Sequence, residues 1–378
     1  MLARRRRGAS DDEMVDLTHC LSHWGGSLLS LPPQCPPRAA HASLAAPLKS
    51  AGTAGRGRAR CACDETREGW IMGRVRAGLA MLAAAWMVGG AAAQDDTGIL
   101  IGDSLEIAAT GYTFTEGPAW EGARLIFSDI PGDAVHVLTP GQSAAQVLYA
   151  PSANANGHTF DRQGRLINAE HGSGAVTRWI PESGRQVIVA AYEGKRLNSP
   201  NDVVVRSDGL ILFTDPPYGL GERTSEVGFS GVFAFDEASE RMVLIDDQLS
   251  RPNGLALSPD EAVLYVGDTA TQTLWAYDLA ADGTASGKRL VIDLKVEGLS
   301  GNVDGVRVDS AGLVYLTCPG GICVVDPARG TLLQRMEVPK RATNLAWGGP
   351  DLSELYITAQ SDVYRVKTRA MGTGSSSR

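Results

Sequence analysis

The 378-residue sequence is poor in cysteine and histidine, the side chains that most often bind zinc. Of six cysteines only Cys318 and Cys323 lie beyond residue 94, and of six histidines only His136, His158 and His171 do. No two of these histidines have the short spacing that is typical of metal ligands. Zinc is therefore the less favoured metal for a site in this part of the chain.

Two kinds of catalytic motif are also missing. The sequence has no Gly-x-Ser-x-Gly nucleophile elbow, and it lacks the alternating strand and helix patterns that surround such an elbow. It has no glycine-rich phosphate loop of the Walker or dinucleotide type. A serine-nucleophile esterase is therefore disfavoured, and no nucleotide cofactor is implied.

Basic residues are scarce in most of the chain. Residues 1–93 hold 12 of the 35 Lys and Arg but only 7 of the 43 Asp and Glu, so the remainder has 23 basic and 36 acidic residues. An acidic balance of this size argues against binding to a phosphate backbone. We expect no nucleic-acid partner.

The sequence also contains a short apolar run, at residues 79–88, that is below the roughly 20 residues needed to span a membrane. A basic stretch that begins at Met72 precedes this run, and Ala91, Ala92 and Ala93 follow it before Gln94. This order is typical of a secretory signal peptide. We predict residues 72–93 as a signal, a periplasmic or secreted protein, and no membrane anchor after cleavage.

Residues 1–71 precede the predicted signal, although a working signal should begin the chain. They are rich in Arg, Ala, Gly and Pro and have little regular pattern. We interpret them as a spurious or disordered N-terminal extension, with translation beginning at Met72. A basic arm that contacts nucleic acid is the alternative.

Residues 94–378 contain a repeat in which a polar residue comes just before a strand-like apolar run. The six copies are spaced by roughly 40 to 50 residues, which is typical of four-stranded propeller blades. We predict one all-β domain, a six-bladed β-propeller with a central channel. The first residues of the copies are Glu116, Asn156, Asn201, Asn253, Asp304 and Asn344.

Equivalent positions of successive blades meet around the axis of a propeller, so these six residues predict a ring of oxygen donors. Turn formation explains any single asparagine equally well, but it does not explain acids at only two places. Glu116 and Asp304, with the amide oxygens of Asn201 and Asn253, form an oxygen-only donor set of charge −2 that suits a divalent cation. Ca²⁺ is favoured, with Mg²⁺ and Mn²⁺ as alternatives. Without a cation the two carboxylates repel each other.

Cys318 and Cys323 flank Pro319-Gly320-Gly321, a predicted turn between two strands. In an oxidising compartment this pair could form a disulfide. Two buried free thiols are an equally good interpretation, because the sequence does not set the distance between the two Cβ atoms.

Five short motifs follow one another along the chain. They are Glu116-Gly117-Pro118-Ala119-Trp120, Asn198-Ser199-Pro200-Asn201-Asp202, Phe213-Thr214-Asp215-Pro216-Pro217-Tyr218-Gly219, Arg251-Pro252-Asn253-Gly254 and Val303-Asp304-Gly305. In this order they resemble the gluconolactonase branch of the senescence-marker-protein, gluconolactonase and luciferin-regenerating-enzyme family. The resemblance covers about residues 98–367.

This resemblance implies an enzyme that hydrolyses a sugar lactone, such as glucono-1,5-lactone, to the aldonic acid at a divalent cation in the channel. By position it implies Glu116, Asn253 and Asp304 as metal ligands, and Asp304 as the group that takes and returns the proton. Asn201 would lie beside the metal or hold the substrate, and we assign Asn156 and His171 to substrate binding as well. A carboxylate that touches a dication is a weak base, but a reactive lactone needs no strong one.

Two other functions stay open at this stage. One is a periplasmic binding or scaffold propeller with a structural ion, and the other is a related esterase or phosphotriesterase of the same family. The acid pair Glu116 and Asp304 favours an enzyme, because a scaffold needs no acids at a channel mouth. We expect the glycine-containing loop at residues 218–229 to border the pocket, and we predict no oligomeric state.

Overall fold

The computed structural model describes residues 105–142 and 144–373, and the predicted extension and signal peptide lie outside them. Nearly all regular structure in the described residues is β-strand, arranged as six four-stranded antiparallel sheets and one two-stranded hairpin. The prediction of an all-β, six-bladed propeller is confirmed. In this part of the chain no helix is long and apolar enough to cross a membrane.

The first strand, β1 (Glu106–Thr110), belongs to the last blade, and the next three blades follow in chain order. Blade 1 consists of β2 (Thr115–Glu121), β3 (Arg124–Asp129), β4 (Ala134–Leu138) and β5 (Gln146–Tyr149). Blade 2 consists of β6 (Ala155–Phe160), β7 (Leu166–Glu170), β8 (Ala175–Ile180) and β9 (Gly184–Val189). A hairpin of β10 (Ala191–Tyr192) and β11 (Lys195–Arg196) leads to blade 3. Blade 3 consists of β12 (Val203–Val205), β13 (Ile211–Asp215), β14 (Gly231–Asp236) and β15 (Arg241–Asp246), with a 3₁₀ helix at Pro217–Gly219.

The remaining three blades repeat this order. Blade 4 consists of β16 (Pro252–Leu257), β17 (Val263–Asp268), β18 (Thr273–Leu279) and β19 (Ala285–Asp293). Blade 5 consists of β20 (Val306–Val308), β21 (Val314–Cys318), β22 (Gly321–Asp326) and β23 (Thr331–Glu337). Blade 6 consists of β24 (Ala342–Gly348), β25 (Glu354–Ala359), β26 (Asp362–Lys367) and β1, which pairs antiparallel with β26.

The innermost strand of each blade contacts the innermost strands of both neighbouring blades, which closes the circle around the axis. Closure depends on β1, because Thr110 Oγ1 donates to Asp362 Oδ1 at 2.6 Å and Arg365 pairs with Glu106 at 2.6 Å. This pairing makes β1 the outermost strand of blade 6, so the first described strand and the last belong to one sheet. The channel is therefore enclosed by strands from all six blades.

Apolar side chains fill the spaces between neighbouring blades. Val303 and Val306 of blade 5, for example, pack in one buried cluster with Leu274 and Ile292 of blade 4. Burying each such side chain contributes roughly 1.5–3 kcal/mol. The blades are thus held by contacts between sheets, which leaves the polar axial ends of the innermost strands available for a site.

Cys318 and Cys323 form a disulfide, with an S–S distance of 2.08 Å and a Cα–Cα distance of 5.8 Å. The bond joins the last residue of β21 to the third residue of β22 across the predicted turn, and both cysteines are buried. Of the two interpretations that the sequence allows, the structure therefore shows the disulfide.

Candidate functional site

The six polar residues of the repeat occupy equivalent positions at the innermost strands, and all are 6% exposed or less. Four of them lie inside β2, β6, β16 and β24, where the pairing with the next strand is interrupted by a β-bulge. The other two, Asn201 and Asp304, lie two residues before β12 and β20. The sequence pattern predicts all six before their strands. A bulge redirects a side chain without ending the strand, which explains the difference.

Glycines follow four of these residues because the innermost strands crowd together at the axis. A Cβ atom on Gly254 would lie 2.4 Å from the Val306 nitrogen and 2.5 Å from the Asp304 carbonyl oxygen. The Gly254 nitrogen donates to that same oxygen at 2.9 Å. These glycines therefore reflect close approach of backbones in addition to local conformation.

Three aspartates at the ends of second strands hold the segments that lead into the ring. Asp215, the last residue of β13, accepts from the backbone nitrogens of Asn198 at 2.8 Å and Ser199 at 2.7 Å, just before Asn201. Asp129 in blade 1 and Asp268 in blade 4 bind the equivalent pairs of nitrogens. The contact satisfies buried donors and orients the segment before each ring residue.

The two ring carboxylates, Glu116 and Asp304, are buried and interact electrostatically. Burial is the main cause that raises the pKa of Glu116 well above its usual range, and the negative charge of Asp304 raises it further. Burial also raises the pKa of Asp304, to about 6, although Arg341 opposes that shift with Nη2 at 3.3 Å from Asp304 Oδ2. Because both buried carboxyl groups resist ionisation, a cation bound beside them would stabilise their charged forms.

The amide of Asn253 is oriented by a neighbouring hydroxyl. Its Nδ2 donates to Thr269 Oγ1 at 3.1 Å, and Thr269 Oγ1 in turn donates to the Val303 carbonyl oxygen at 2.6 Å. Because the nitrogen of the amide is engaged in this way, its Oδ1 remains the group that can act as a ligand.

His171 lies between two other ring asparagines. Its Nε2 is 3.0 Å from Asn156 Nδ2 and 3.4 Å from Asn201 Nδ2. Burial lowers the pKa of His171 to about 4, so the ring is neutral and can accept from these amide nitrogens. The structure thus brings together the three residues that the sequence assigned to substrate binding, with both amide nitrogens turned toward the histidine.

The loop at residues 218–229 lies beside this group. A Cβ atom on Gly219 would lie 2.5 Å from the Cβ of His171, and the Gly219 nitrogen donates to Ser199 Oγ at 2.8 Å. Tyr218, the preceding residue, lies with its ring 5.1 Å from the guanidinium of Arg251. The loop therefore borders the ring between blades 2 and 4.

The sequence interpretation missed a third acid at the axis, Asp202. It is fully buried, and its Oδ2 lies 3.0 Å from Arg307 Nη1. Asn344 Nδ2 donates to Glu116 Oε2 at 3.2 Å and to Asp202 Oδ2 at 3.5 Å, so it links the two acids. The sequence does distinguish Asp202, because it stands where four other copies of the repeat have glycine.

The residues at the ring fit a hard divalent cation. Glu116 and Asp304 supply two buried carboxylates whose pKa values stay raised although Arg341 lies beside Asp304, and Asn253 supplies an amide oxygen. Together these are donors that Ca²⁺ prefers. No group of three or more His, Cys, Asp or Glu suitable for a metal is present in residues 105–142 and 144–373. Because the ring offers a cation only two acids, amide oxygens are needed to complete its coordination.

A cavity of about 470 Å³ opens along the channel beyond the ring. Its walls come from residues that follow the ring in the innermost strands, among them Pro118, Thr159, Leu257 and Ala346. Arg307, the partner of Asp202, also lines it. This pair therefore lies between the ring and the channel cavity.

Fold and site together define a six-bladed β-propeller with three buried acids and several amide side chains at its axis. The family model for the SMP-30/Gluconolactonase/LRE-like region matches residues 114–361. A gluconolactonase from Zymomonas mobilis is 34% identical over 294 residues, which are 71% of this chain and 82% of that protein. A pentonolactonase from Haloferax volcanii is 29% identical over 261 residues, 67% of this chain and 83% of that protein.

Solved structures give the same result. A gluconolactonase from Xanthomonas campestris has a TM-score of 0.67 and 32% identity, covering 72% of this chain and 91% of that one. The chain belongs to the SMP-30/gluconolactonase/LRE-like family, a family of lactone hydrolases. The resemblance and the enzyme class predicted from the five motifs are confirmed.

Proposed function

We propose that this protein hydrolyses a sugar lactone, glucono-1,5-lactone or a similar aldonolactone, to the aldonic acid at the axial ring. The observation that carries the proposal is the buried acid pair Glu116 and Asp304 beside the oriented amide of Asn253, in a chain of a lactone hydrolase family. Relatives named gluconolactonase and pentonolactonase support this class of substrate.

Glu116, Asn253 and Asp304 would hold a divalent cation, with Ca²⁺ the first choice. The bound ion would supply Lewis-acid polarisation of the lactone carbonyl and charge stabilisation as water adds to it. A solved calcium-binding regucalcin from Agrobacterium tumefaciens shares the fold, with a TM-score of 0.62, but at 19% identity it supports only the architecture.

Asp304 is the proposed proton carrier. Its carboxylate takes a proton from the attacking water and returns it to the ring oxygen as the carbon–oxygen bond of the lactone breaks. Arg341, at 3.3 Å, stabilises the ionised form of Asp304 and so keeps it able to accept. A lactone is a reactive ester, so a weak base is sufficient for this step.

Asn156, Asn201 and His171 are proposed to hold the sugar hydroxyls. The two amide nitrogens face His171 Nε2, so the amide oxygens remain as acceptors for hydroxyl groups. The loop at residues 218–229 covers this side and would limit access of bulk water to the bound lactone.

The test is proton release during hydrolysis of glucono-1,5-lactone, measured after chelation and again after separate addition of Ca²⁺, Mg²⁺, Mn²⁺ or Zn²⁺. Activity that is lost with the chelator and restored by one ion supports the proposal and identifies a supporting cation. Activity that survives complete chelation would remove the cation from the mechanism. A folded protein that is inactive with every ion would favour another ester or a binding propeller.

We also propose that the protein is exported. The signal-like residues 72–93 and the disulfide between Cys318 and Cys323 support this, because disulfides persist in oxidising compartments. Mass spectrometry of the exported protein should find an N-terminus close to Gln94. An N-terminus far from that residue would contradict the signal-peptide prediction.

A further inference from the structure

Arginine side chains surround the ring on the side of the loop at residues 218–229, although acids outnumber bases in the chain as a whole. We call this set the arginine rim. Arg196 and Arg223 contact the backbone beside His171 and before Asn201, whereas Arg251 and Arg341 flank Asn253 and Asp304. The members are Arg196, Arg223, Arg251 and Arg341.

Two members of the rim have structural partners. Arg196 Nη2 donates to the Ser173 carbonyl oxygen at 2.7 Å, and Arg223 Nη2 donates to the Asn198 carbonyl oxygen at 2.7 Å. These contacts tie the loops of blades 2 and 3 together. They account for both residues without a ligand, so neither is part of the inference.

Arg251 differs because its guanidinium has no carboxylate partner in the part of the chain that the structure describes. The side chain is exposed and lies over the ring of Tyr218, with its Cζ 5.1 Å from the ring centroid. Only its backbone nitrogen contacts an acid, Asp268 Oδ1 at 3.0 Å. The Tyr218 side chain in turn interacts with Thr269 and Asn253, so the guanidinium of Arg251 lies over a ring that borders the site.

Arg341 reaches the same space from blade 6. Its Nη2 is 3.3 Å from Asp304 Oδ2, its guanidinium lies 5.9 Å from the ring of Phe114, and 46% of its side chain is exposed. In the proposed function a cation takes up the charges of Glu116 and Asp304. Arg341 then shares Asp304 with the cation, and Arg251 carries positive charge that no carboxylate of the described residues balances.

A neutral sugar lactone can accept hydrogen bonds from these two guanidinium groups, but it has no negative charge to balance theirs. Arginine binds carboxylate, phosphate and sulfonate through parallel hydrogen bonds, and an exposed guanidinium held over an aromatic ring is already partly ordered for such a contact.

We infer that Arg251 and Arg341 form an anion subsite, and that the preferred substrate is a sugar lactone with an anionic group remote from the reacting carbonyl. The inference rests on the proposed function and adds the substrate class. A terminal carboxylate and a terminal phosphate share the required chemistry, so both are tested.

The experiment compares kcat and KM for glucono-1,5-lactone, 6-phosphoglucono-1,5-lactone and glucarolactone, with spontaneous hydrolysis subtracted. We expect kcat/KM to be about tenfold higher for at least one anionic lactone, since a charge-assisted contact contributes about this factor. Raising the ionic strength from about 0.01 M to about 1 M should reduce this preference, because salt screens exposed charges.

Arg251→Gln is the main variant, because Arg251 does not touch a proposed ligand. It should raise KM for the preferred anionic lactone about tenfold and change KM for the neutral one less than about twofold. For Arg341→Gln, which does contact Asp304, the informative value is the ratio of kcat/KM between anionic and neutral lactones, and this ratio should fall. Arg241→Gln is the matched control, because Arg241 is 47% exposed, pairs with Asp282 at the same 3.3 Å and lies in the outermost strand of blade 3.

The other outcomes distinguish failure of the anion subsite from failure of the proposed function. Equal kcat/KM for charged and neutral lactones, or equal losses on both in Arg251→Gln, would overturn the anion subsite and leave the proposed function standing. Failure to hydrolyse any of the three lactones in the presence of each cation would instead overturn the proposed function. A preference for phosphate over carboxylate, or the reverse, identifies the source of the anionic group.

Discussion

The buried Asp202 and the partly buried Arg307 form an ion pair, with Oδ2 and Nη1 3.0 Å apart, that connects blade 3 to blade 5. These blades are not neighbours, so the pair crosses the channel between the ring and the channel cavity. Asn344 then links Asp202 to Glu116. Asp202 therefore lies where a catalytic acid could lie, but its charge is balanced by Arg307.

Breaking this pair from one side should destabilise the protein. Arg307→Met leaves the Asp202 carboxylate buried without a countercharge, and we expect a loss of about 3 kcal/mol in the free energy of unfolding. The double variant Asp202→Asn with Arg307→Met should recover most of this loss, because no charge is left buried. Urea unfolding of both single variants and the double variant measures the coupling, and strictly additive effects would contradict a direct pair.

Removing one charge from the acid pair should stabilise the metal-free protein while it abolishes activity. The pKa of Asp304 is raised to about 6, so its ionisation costs stability as the pH rises through that value. Asp304→Asn should therefore gain on the order of 1–3 kcal/mol at pH 8 with chelator present, and gain little at about pH 3.5. Its kcat should fall at least about 100-fold.

The control for this variant is Asp278→Asn, which neutralises an exposed carboxylate on blade 4 that pairs with Arg289. It should show neither the stabilisation nor the loss of activity. Full turnover by Asp304→Asn would exclude Asp304 as the proton carrier. Equal stabilisation by added Ca²⁺ in wild type and Asp304→Asn would exclude it as a ligand.

Asp215 should matter for activity through the backbone that it holds. Asp215→Ala removes the acceptor for the nitrogens of Asn198 and Ser199, so the segment before Asn201 loses its fixed position. We expect KM for the lactone to rise about tenfold. Asp326→Ala is a matched control, because Asp326 also accepts from two backbone nitrogens, those of Ala328 and Arg329, in an outer turn of blade 5.

Both aspartate variants should lose about 1–3 kcal/mol of stability, since each leaves buried or half-buried donors unpaired. Only Asp215→Ala should change KM. If Asp326→Ala raised KM as much, the effect would reflect general loosening of the propeller.

His158 should make the fold sensitive to acid. It is buried between Ser128 Oγ, 2.7 Å from Nε2, and Asn168 Oδ1, 2.9 Å from Nδ1. Burial lowers the pKa of His158 from 6.5 to about 4, so the folded state favours the neutral ring. The stabilisation is complete above about pH 6.5 and is lost as the pH falls through about 4, which amounts to about 3 kcal/mol.

Unfolding of wild type and His158→Gln at pH 7, 5 and 4 tests this linkage. The variant cannot take up the proton, so the difference in stability between the two proteins should shrink by about 3 kcal/mol from pH 7 to pH 4. Buried carboxylates with raised pKa act in the opposite direction, but they are common to both proteins and cancel. A constant difference across this range would show that His158 titrates normally.

Much of the fold can be predicted from the repeat that runs through the sequence. The recurring polar residue followed by apolar runs predicts six blades, because a blade cannot bury its faces alone and must repeat around an axis. The same alignment selected Glu116 and Asp304 as the acids of the ring, and five ordered motifs indicated the family. These inferences rest on spacing and residue type, which a sequence displays directly.

Other features depend on contacts between distant parts of the chain, and only the tertiary structure decided them. The pairing of β1 with β26, the Asp202–Arg307 pair and the link from Asn344 to Glu116 join residues more than 100 positions apart. The disulfide required the distance between Cys318 and Cys323, which two strands set together. The pKa of each buried group likewise follows from what surrounds it in space. Sequence thus determined which residues repeat, and packing around the axis determined which of them meet.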